Sequence, residues 1–258
     1  MTKKAKIQSS QCLNLQIIRF LAMSMRWFFS FLAAGLAGFV IFIAVSKGGE
    51  PGFGSNLSAG LVEYMVGRFG PPAKPRLLDW SAFLRELPKS AQTGGEYSFE
   101  SDQRLIKAVN SFFNRVPFID DRRHWGLEDY WASPAEFVAS HGGDCEDFSI
   151  AKYYALKELG MPITGLRITY VKATRINQPH MVLAYYPKPD ADPLILDNLV
   201  NEVRPSSERP DLIPVYSFND DDVWISRDGR PGGRSGGRPT QIRLWRELLE
   251  KLAREARL

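Results

Sequence analysis

The chain has 258 residues, 44% hydrophobic and 24% charged, enough for one medium domain with appendages. Its net charge of +4 sits at the two ends. Residues 1–46 hold five basic side chains and no acid, residues 227–258 hold nine basic and four acidic, and the body between them is left with 19 basic against 25 acidic. A net-acidic body argues against a nucleic-acid footprint on the core, and two cysteines, one of them (Cys12) in the leader, leave the body no disulfide framework.

From the N-terminus, the uncharged 19-residue run Trp27–Val45 follows only positive charge and is long enough to span a bilayer. Ala44-Val45-Ser46 makes a small-x-small cleavage site, while the length of the run suits an uncleaved anchor. Signal peptide and signal anchor fit equally, and both leave the basic flank in the cytoplasm and export the body. Residues 47–60, rich in Gly and Ser, read as a linker. Leu61–Gly70 is either a short amphipathic helix or an irregular lead-in to Pro71-Pro72; Leu77–Leu87 is a short helix, Gln92–Gly95 a loop, and Ser101–Phe113 a helix with apolar residues recurring at three and four. Asn114–Ser133 reads as a long irregular stretch carrying Phe118, Trp125, Tyr130 and Trp131, the kind of loop that often bears function. Ser133-Pro134-Ala135-Glu136 has the order N-cap, Pro at the first helical position and Glu at the third, which opens a helix to about Ser140. A second helix follows, capped by Asp144 and stopped at Gly160.

After it the period changes to two. Leu166–Val171, His180–Tyr186 and Leu194–Asp197 read as strands, with Val215–Phe218 and Val223–Ile225 adding further ones. Asp228–Pro239 is a Gly/Arg/Pro linker, and Thr240 caps a last helix with Ile242, Trp245, Leu248, Leu249 and Leu252 on one face. That face either packs back on the domain or meets a membrane surface or partner. Helices followed by a small antiparallel sheet give an α+β fold, organised as a leader (1–46), a domain (47–226) and a tail (227–258).

The chemistry concentrates at Gly142-Gly143-Asp144-Cys145-Glu146-Asp147. Cys145 starts a helix, where the dipole and free N–H groups favour a thiolate, but Asp144, Glu146 and Asp147 raise the thiol pKa and call for a cation to offset them. A thiolate nucleophile also needs a base and an acceptor to orient that base. Of His124, His141 and His180, the last opens a strand able to lie against the helix start, and Asp197 ends the next strand. Each residue alone has a bland reading: a buried thiol, a strand-end histidine, a turn aspartate and helix-start caps. The order of all three is more specific than any part.

Asp144-Cys145-Glu146-Asp147-Phe148 with Lys152-Tyr153, then Pro179-His180-Met181-Val182-Leu183, then Leu196-Asp197-Asn198, resembles the bacterial transglutaminase-like cysteine proteinases from about Phe112 to Phe218. The resemblance implies a papain-like core and a Cys-His-Asp triad working through a thioester acyl-enzyme. In it Cys145 is the nucleophile, His180 the general base and acid, and Asp197 the orienter of the imidazole. The Cys145 N–H is then an oxyanion donor, with Trp125 and Trp131 as candidates for a second. It further implies calcium beside the cysteine, held by Asp144, Glu146 and Asp147 with oxygens from elsewhere, including residues 114–133. The biology implied is periplasmic, calcium-dependent cleavage of a large surface adhesin near its N-terminus, releasing cells from a biofilm, with an inner-membrane cyclic-di-GMP receptor as inhibitory partner. An N-terminal anchor would depart from the family's usual soluble form. A transglutaminase or cell-wall amidase on the same scaffold, and a non-catalytic calcium-dependent binding module, are the competing readings.

Overall fold

The computed structural model describes residues 54–88, 99–226 and 232–258. The leader with its signal or anchor reading, residues 47–53 of the linker, the Gln92–Gly95 loop and the start of the Gly/Arg linker lie outside the described residues. Among the described residues no helix is long and apolar enough to cross a membrane.

Helices come first. Ala59–Phe69 (α1), which the sequence left open, is a helix whose Ser58 side chain accepts from the Leu61 N–H at 3.0 Å. Ala73–Glu86 (α2) and Phe99–Phe113 (α3) follow, α2 starting a turn before the expected boundary. Within the stretch read as irregular, Asp121–His124 (α4) makes one turn, capped by Asp120 accepting from the Arg123 N–H at 3.2 Å. A single turn is too short to leave a periodic signal. Pro134–Ser140 (α5) begins as the sequence indicates: Ser133 Oγ accepts from Glu136 N and the Glu136 carboxylate accepts from Ser133 N, a capping box with Pro at N1. Cys145–Glu158 (α6) has Asp144 at its N-cap position, and every residue from Asp147 to Leu156 is buried.

The sheet is antiparallel throughout, in the order β4-β3-β2-β1-β5-β6. Its strands are Leu166–Ala173 (β1), Gln178–Tyr185 (β2), Leu194–Leu196 (β3), Arg204–Pro205 (β4), Leu212–Phe218 (β5) and Val223–Ile225 (β6). The two-residue β4 has no alternation to read and shows only through its pairing with β3. The sheet packs on α6 through β2 and β1, so α6 is enclosed by the sheet and the other helices, polar Asp147, Ser149 and Lys152 included.

The last helix, Arg243–Glu255 (α7), starts two residues later than the Thr240 cap implies, because Pro239–Gln241 forms a 3₁₀ turn and Ile242 turns the chain into the helix. Of the readings left open for its apolar face, packing back on the domain is the one observed. Leu244, Trp245, Leu248 and Leu252 join the core, and the fully buried Trp245 ring lies 5.1 Å from Phe218, 6.0 Å from Tyr153 and 6.1 Å from Tyr154. The tail is thus part of the folded unit. Trp245→Ala should cost about 3–5 kcal/mol of unfolding free energy by urea titration, whereas truncation of a helix docked only on the surface would cost far less.

Candidate functional site

The site begins where α5 ends and α6 starts. His141, in the left-handed region at φ 60°, terminates α5, and Gly142-Gly143 carry the chain on. A Cβ at Gly143 would lie 2.7 Å from Phe137 Cδ2 and 2.8 Å from Asp147 Cβ, so glycine lets α5 and the first turn of α6 close around this position, and a Cβ at Gly142 would meet the Ile119 and His124 side chains. The Ile119 segment is tied down by Ile119 N donating to Gly143 O at 2.9 Å. Cys145, half-buried at the first position of α6, thus follows a backbone pinned two residues earlier at Gly143.

Three elements bring the expected partners together. His180 lies on β2 and Asp197 directly after β3, one residue past the strand end that the sequence suggested, and His180 Nε2 lies 2.8 Å from Asp197 Oδ1, both buried. With Nε2 committed to the carboxylate, Nδ1 is the imidazole nitrogen left for another partner. The thiol meets β2 at the next residue, whose backbone N–H (Met181) interacts with the sulfur. The Sγ–H itself donates to Glu146 Oε2 at 3.1 Å, not to the imidazole. Burial, then Glu146 and Asp144, push the Cys145 thiol well up, and the Met181 N–H only partly opposes them.

Asp197 is kept ionised. Burial alone would raise its pKa, but His180, the Leu199 N–H at 3.0 Å and Arg209 NH2 at 2.7 Å bring it down to about 2. Arg209 also grips Asp211 through Nε at 3.1 Å and NH2 at 3.0 Å. Asn114, at the end of α3, donates to the Asp197 carbonyl at 2.8 Å and so fixes the turn after β3. Lys152, two turns along α6 from the cysteine, is fully buried with no hydrogen-bond partner on Nζ; burial lowers its pKa to about 7 against the pull of Asp197. Sequence reasoning assigned no role to Arg209. It sits in an irregular segment whose only signal is the Arg-Pro-Asp charge pairing.

The acidic side chains gather as well. Asp144 and Glu146 approach each other beside Cys145, Asp144 and Asp147 meet Asp121 from α4, and Glu146 meets Asp121 and Asp129. Asp121 and Asp129 come from the aromatic stretch that was expected to supply further oxygens, and Asp121 links the groups. Burial, then the Glu146 charge, raise Asp121 and Asp129 to about 7, and the same two causes in the same order push Asp144 and Asp147 far up. Asp121 Oδ1 and Asp144 Oδ1 are buried with no hydrogen-bond partner. Clustered carboxylates with orphaned oxygens and no nitrogen ligand fit a hard divalent cation of the calcium type.

The remaining candidates go elsewhere. His124 Nε2 lies 2.9 Å from Ser140 Oγ, and His141 serves the end of α5. Trp131 hydrogen-bonds Asp129, so its N–H is committed. Trp125 packs among Phe69, His124 and Tyr130, with Nε1 unpartnered.

The family model described as bacterial transglutaminase-like cysteine proteinase matches residues 84–230, which include every residue of this site. No curated protein matches the chain. Among solved structures, EGTA-treated LapG of Legionella pneumophila is similar at 34% identity over 76% of this chain and 98% of that one, with a TM-score of 0.63. The calcium-bound form of the same protein is similar at 35% identity over 76% and 99%, with a TM-score of 0.61. A net-acidic α+β domain that sets one cysteine at a helix start beside a strand-borne His–Asp pair, and matches this family over more than half its length, belongs to the bacterial transglutaminase-like cysteine proteinases.

Proposed function

We propose that this cysteine proteinase is a calcium-dependent endopeptidase in which Cys145 is the nucleophile, His180 the general base and acid, and Asp197 the orienting carboxylate. The observation that carries the reading is the buried His180–Asp197 pair at 2.8 Å, whose histidine lies on the strand that also brings the Met181 N–H to the Cys145 sulfur. In the acylation step His180 Nδ1 takes the thiol proton and Sγ attacks the scissile carbonyl. The same nitrogen then returns the proton to the leaving amine, which departs as a thioester forms between Sγ and the acyl carbon. Water, deprotonated by the imidazole, hydrolyses that thioester. The Cys145 N–H, at the helix start, is the oxyanion donor. Asp197, ionised throughout, holds the Nε2–H and stabilises the imidazolium.

Asp121, Asp129, Asp144, Glu146 and Asp147 are the residues to hold calcium, with Asp147 giving only the capacity left by its bonds to the Ala132 and Asp144 N–H groups. Bound there, the ion supplies positive charge that offsets the carboxylates raising the thiol pKa. The calcium-bound form of the Legionella pneumophila relative supports the assignment of the ion. We further place the domain in the periplasm, where the basic flank and apolar run of residues 1–46 direct it. As substrate we assign a large surface adhesin, cleaved near its N-terminus under control of an inner-membrane cyclic-di-GMP receptor.

Cys145→Ala should abolish cleavage of adhesin N-terminal fragments, by at least about 10³-fold in kcat, with the melting temperature retained; residual turnover near wild type would overturn the assignment. For calcium, the sign follows from Asp121 and Asp129. Their folded pKa values near 7 lie above the ordinary 3.8, so the stability this proton uptake gives is complete below about pH 4 and lost as pH rises through 7. Metal-free protein should therefore melt at a falling temperature from pH 5 to pH 8, and calcium should raise the melting temperature more at pH 8 than at pH 5. A melting temperature and activity both unmoved by chelator would refute the site.

Arg209→Met should cost about 3–5 kcal/mol at pH 7, because Asp197 and Asp211 lose their shared buried cation. With Asp197 held near 2 against 3.8 when unfolded, its charge stabilises the fold above about pH 4 and ceases to as pH falls through 2. The difference between wild type and variant, read by urea unfolding, should shrink over that range.

A further inference from the structure

We propose that α7 acts on the acidic cluster through Lys251, which is a positioning residue for the cation site. The inference rests on the reading of that cluster as a calcium site.

Residues 130–133 run between the cluster and α7 and are held from both sides. On the cluster side, the Tyr130 N–H donates to Asp121 Oδ2 at 2.5 Å and the Ala132 N–H to Asp147 Oδ1 at 2.7 Å. On the α7 side, Lys251 Nζ donates to the Trp131 carbonyl at 2.8 Å and sits 3.8 Å from the centroid of the Tyr130 ring, while Ser133 Oγ donates to Glu255 Oε1 at 2.7 Å. The Trp131 carbonyl and the Ala132 N–H belong to one peptide plane. A single rigid amide therefore joins the Lys251 ammonium to the Asp147 carboxylate, and the ammonium both orients that plane and polarises its N–H. Tyr130 couples the same way, with its N–H on Asp121 and its ring under the ammonium.

Lys251 is itself fixed. Nζ pairs with Glu136 Oε2 at 2.7 Å, and Glu136 is buried on α5 with Tyr130 Oη donating to its other oxygen at 2.9 Å and Arg68 of α1 also bound there. Trp131, whose indole hydrogen-bonds Asp129, stacks at 5.8 Å on Phe218 and edge-on at 6.5 Å against Trp245 of α7. Three carboxylates of the cluster, Asp121, Asp129 and Asp147, thus take their positions from a four-residue segment that α7 grips by a charge, a hydroxyl contact and an indole. Groups one step beyond metal ligands commonly change affinity by about 10–100-fold when removed.

The test is calcium binding by full-length protein, measured by calorimetry and by terbium luminescence, for wild type, Lys251→Met, Lys251→Arg and Leu248→Ala. The methionine keeps the aliphatic stem and removes the charge. The leucine variant hollows the apolar face of the same helix without removing a polar contact. Lys251→Met should weaken calcium binding by about tenfold or more, with kcat recovering at saturating calcium, Lys251→Arg should restore most of the affinity, and Leu248→Ala should lower the melting temperature with little change in Kd. An unchanged Kd in Lys251→Met, with wild type binding normally, overturns the positioning role alone. Equal weakening by Leu248→Ala overturns it too, as general loosening. A wild-type protein that binds no calcium overturns the cluster reading on which the inference stands.

Discussion

Five carboxylates converge on the first turn of one helix, and their repulsion is the constraint that the surrounding structure answers. A helix N-terminus offers a thiolate or carboxylate about 0.3–1 kcal/mol, up to about 2 in a partly buried setting. That cannot offset several buried negative charges within 4.8 Å of one another, so protons must occupy the cluster or a cation must. The pKa values of Asp121 and Asp129, held near 7, express this balance at neutral pH. The thiol inherits it, since its proton is shared with Glu146 and its ionisation would add a further negative charge to the group. The thiol and the acidic cluster form one electrostatic unit.

The far side of the site shows the opposite treatment of a carboxylate. Asp197 is as deeply buried as any acid of the cluster, yet it is held near 2 because an imidazole, a backbone N–H and a guanidinium surround it. Two kinds of environment thus push acid groups in opposite directions within one site, which is how a single fold sets proton donors apart from fixed charges. The cost of keeping Asp197 charged falls on Arg209, which is buried and shared with Asp211. Lys152 adds a further buried positive site beneath the pair, with burial and the Asp197 charge opposed in setting its proton.

What the sequence disclosed follows from which interactions are local. The Ser133–Glu136 capping box and the Asp144 cap position lie within one turn of chain, and both helix starts were readable to the residue. Strand alternation put His180 on one strand and Asp197 at the end of its neighbour, and the pairing of β2 with β3 brings the two together, with Asp197 just past the last strand residue. Arg209 and Asp129 reach the site through irregular segments and Asp121 through a single helical turn, where direction comes from tertiary contacts and leaves no periodic trace. Thr240 misled for a related reason. It has the chemistry of a cap, but Pro239 starts a 3₁₀ turn that places it before the helix proper.

The same distinction explains why the part of the chain that carries the chemistry is not self-sufficient. The family match spans residues 84–230 and stops short of both α1 and α7. Yet Glu136, inside the match, is buried with Arg68 of α1 on one oxygen and Lys251 of α7 on the other. A buried carboxylate without its partners is costly, so the two flanking helices are needed to make that position tolerable. Because Glu136 also closes the α5 capping box and accepts from Tyr130, its charge is satisfied only when α1, α5, α7 and the segment before Ser133 are all in place. The outer helices and the segment that reaches the acidic cluster thus meet at a single glutamate and the lysine that faces it.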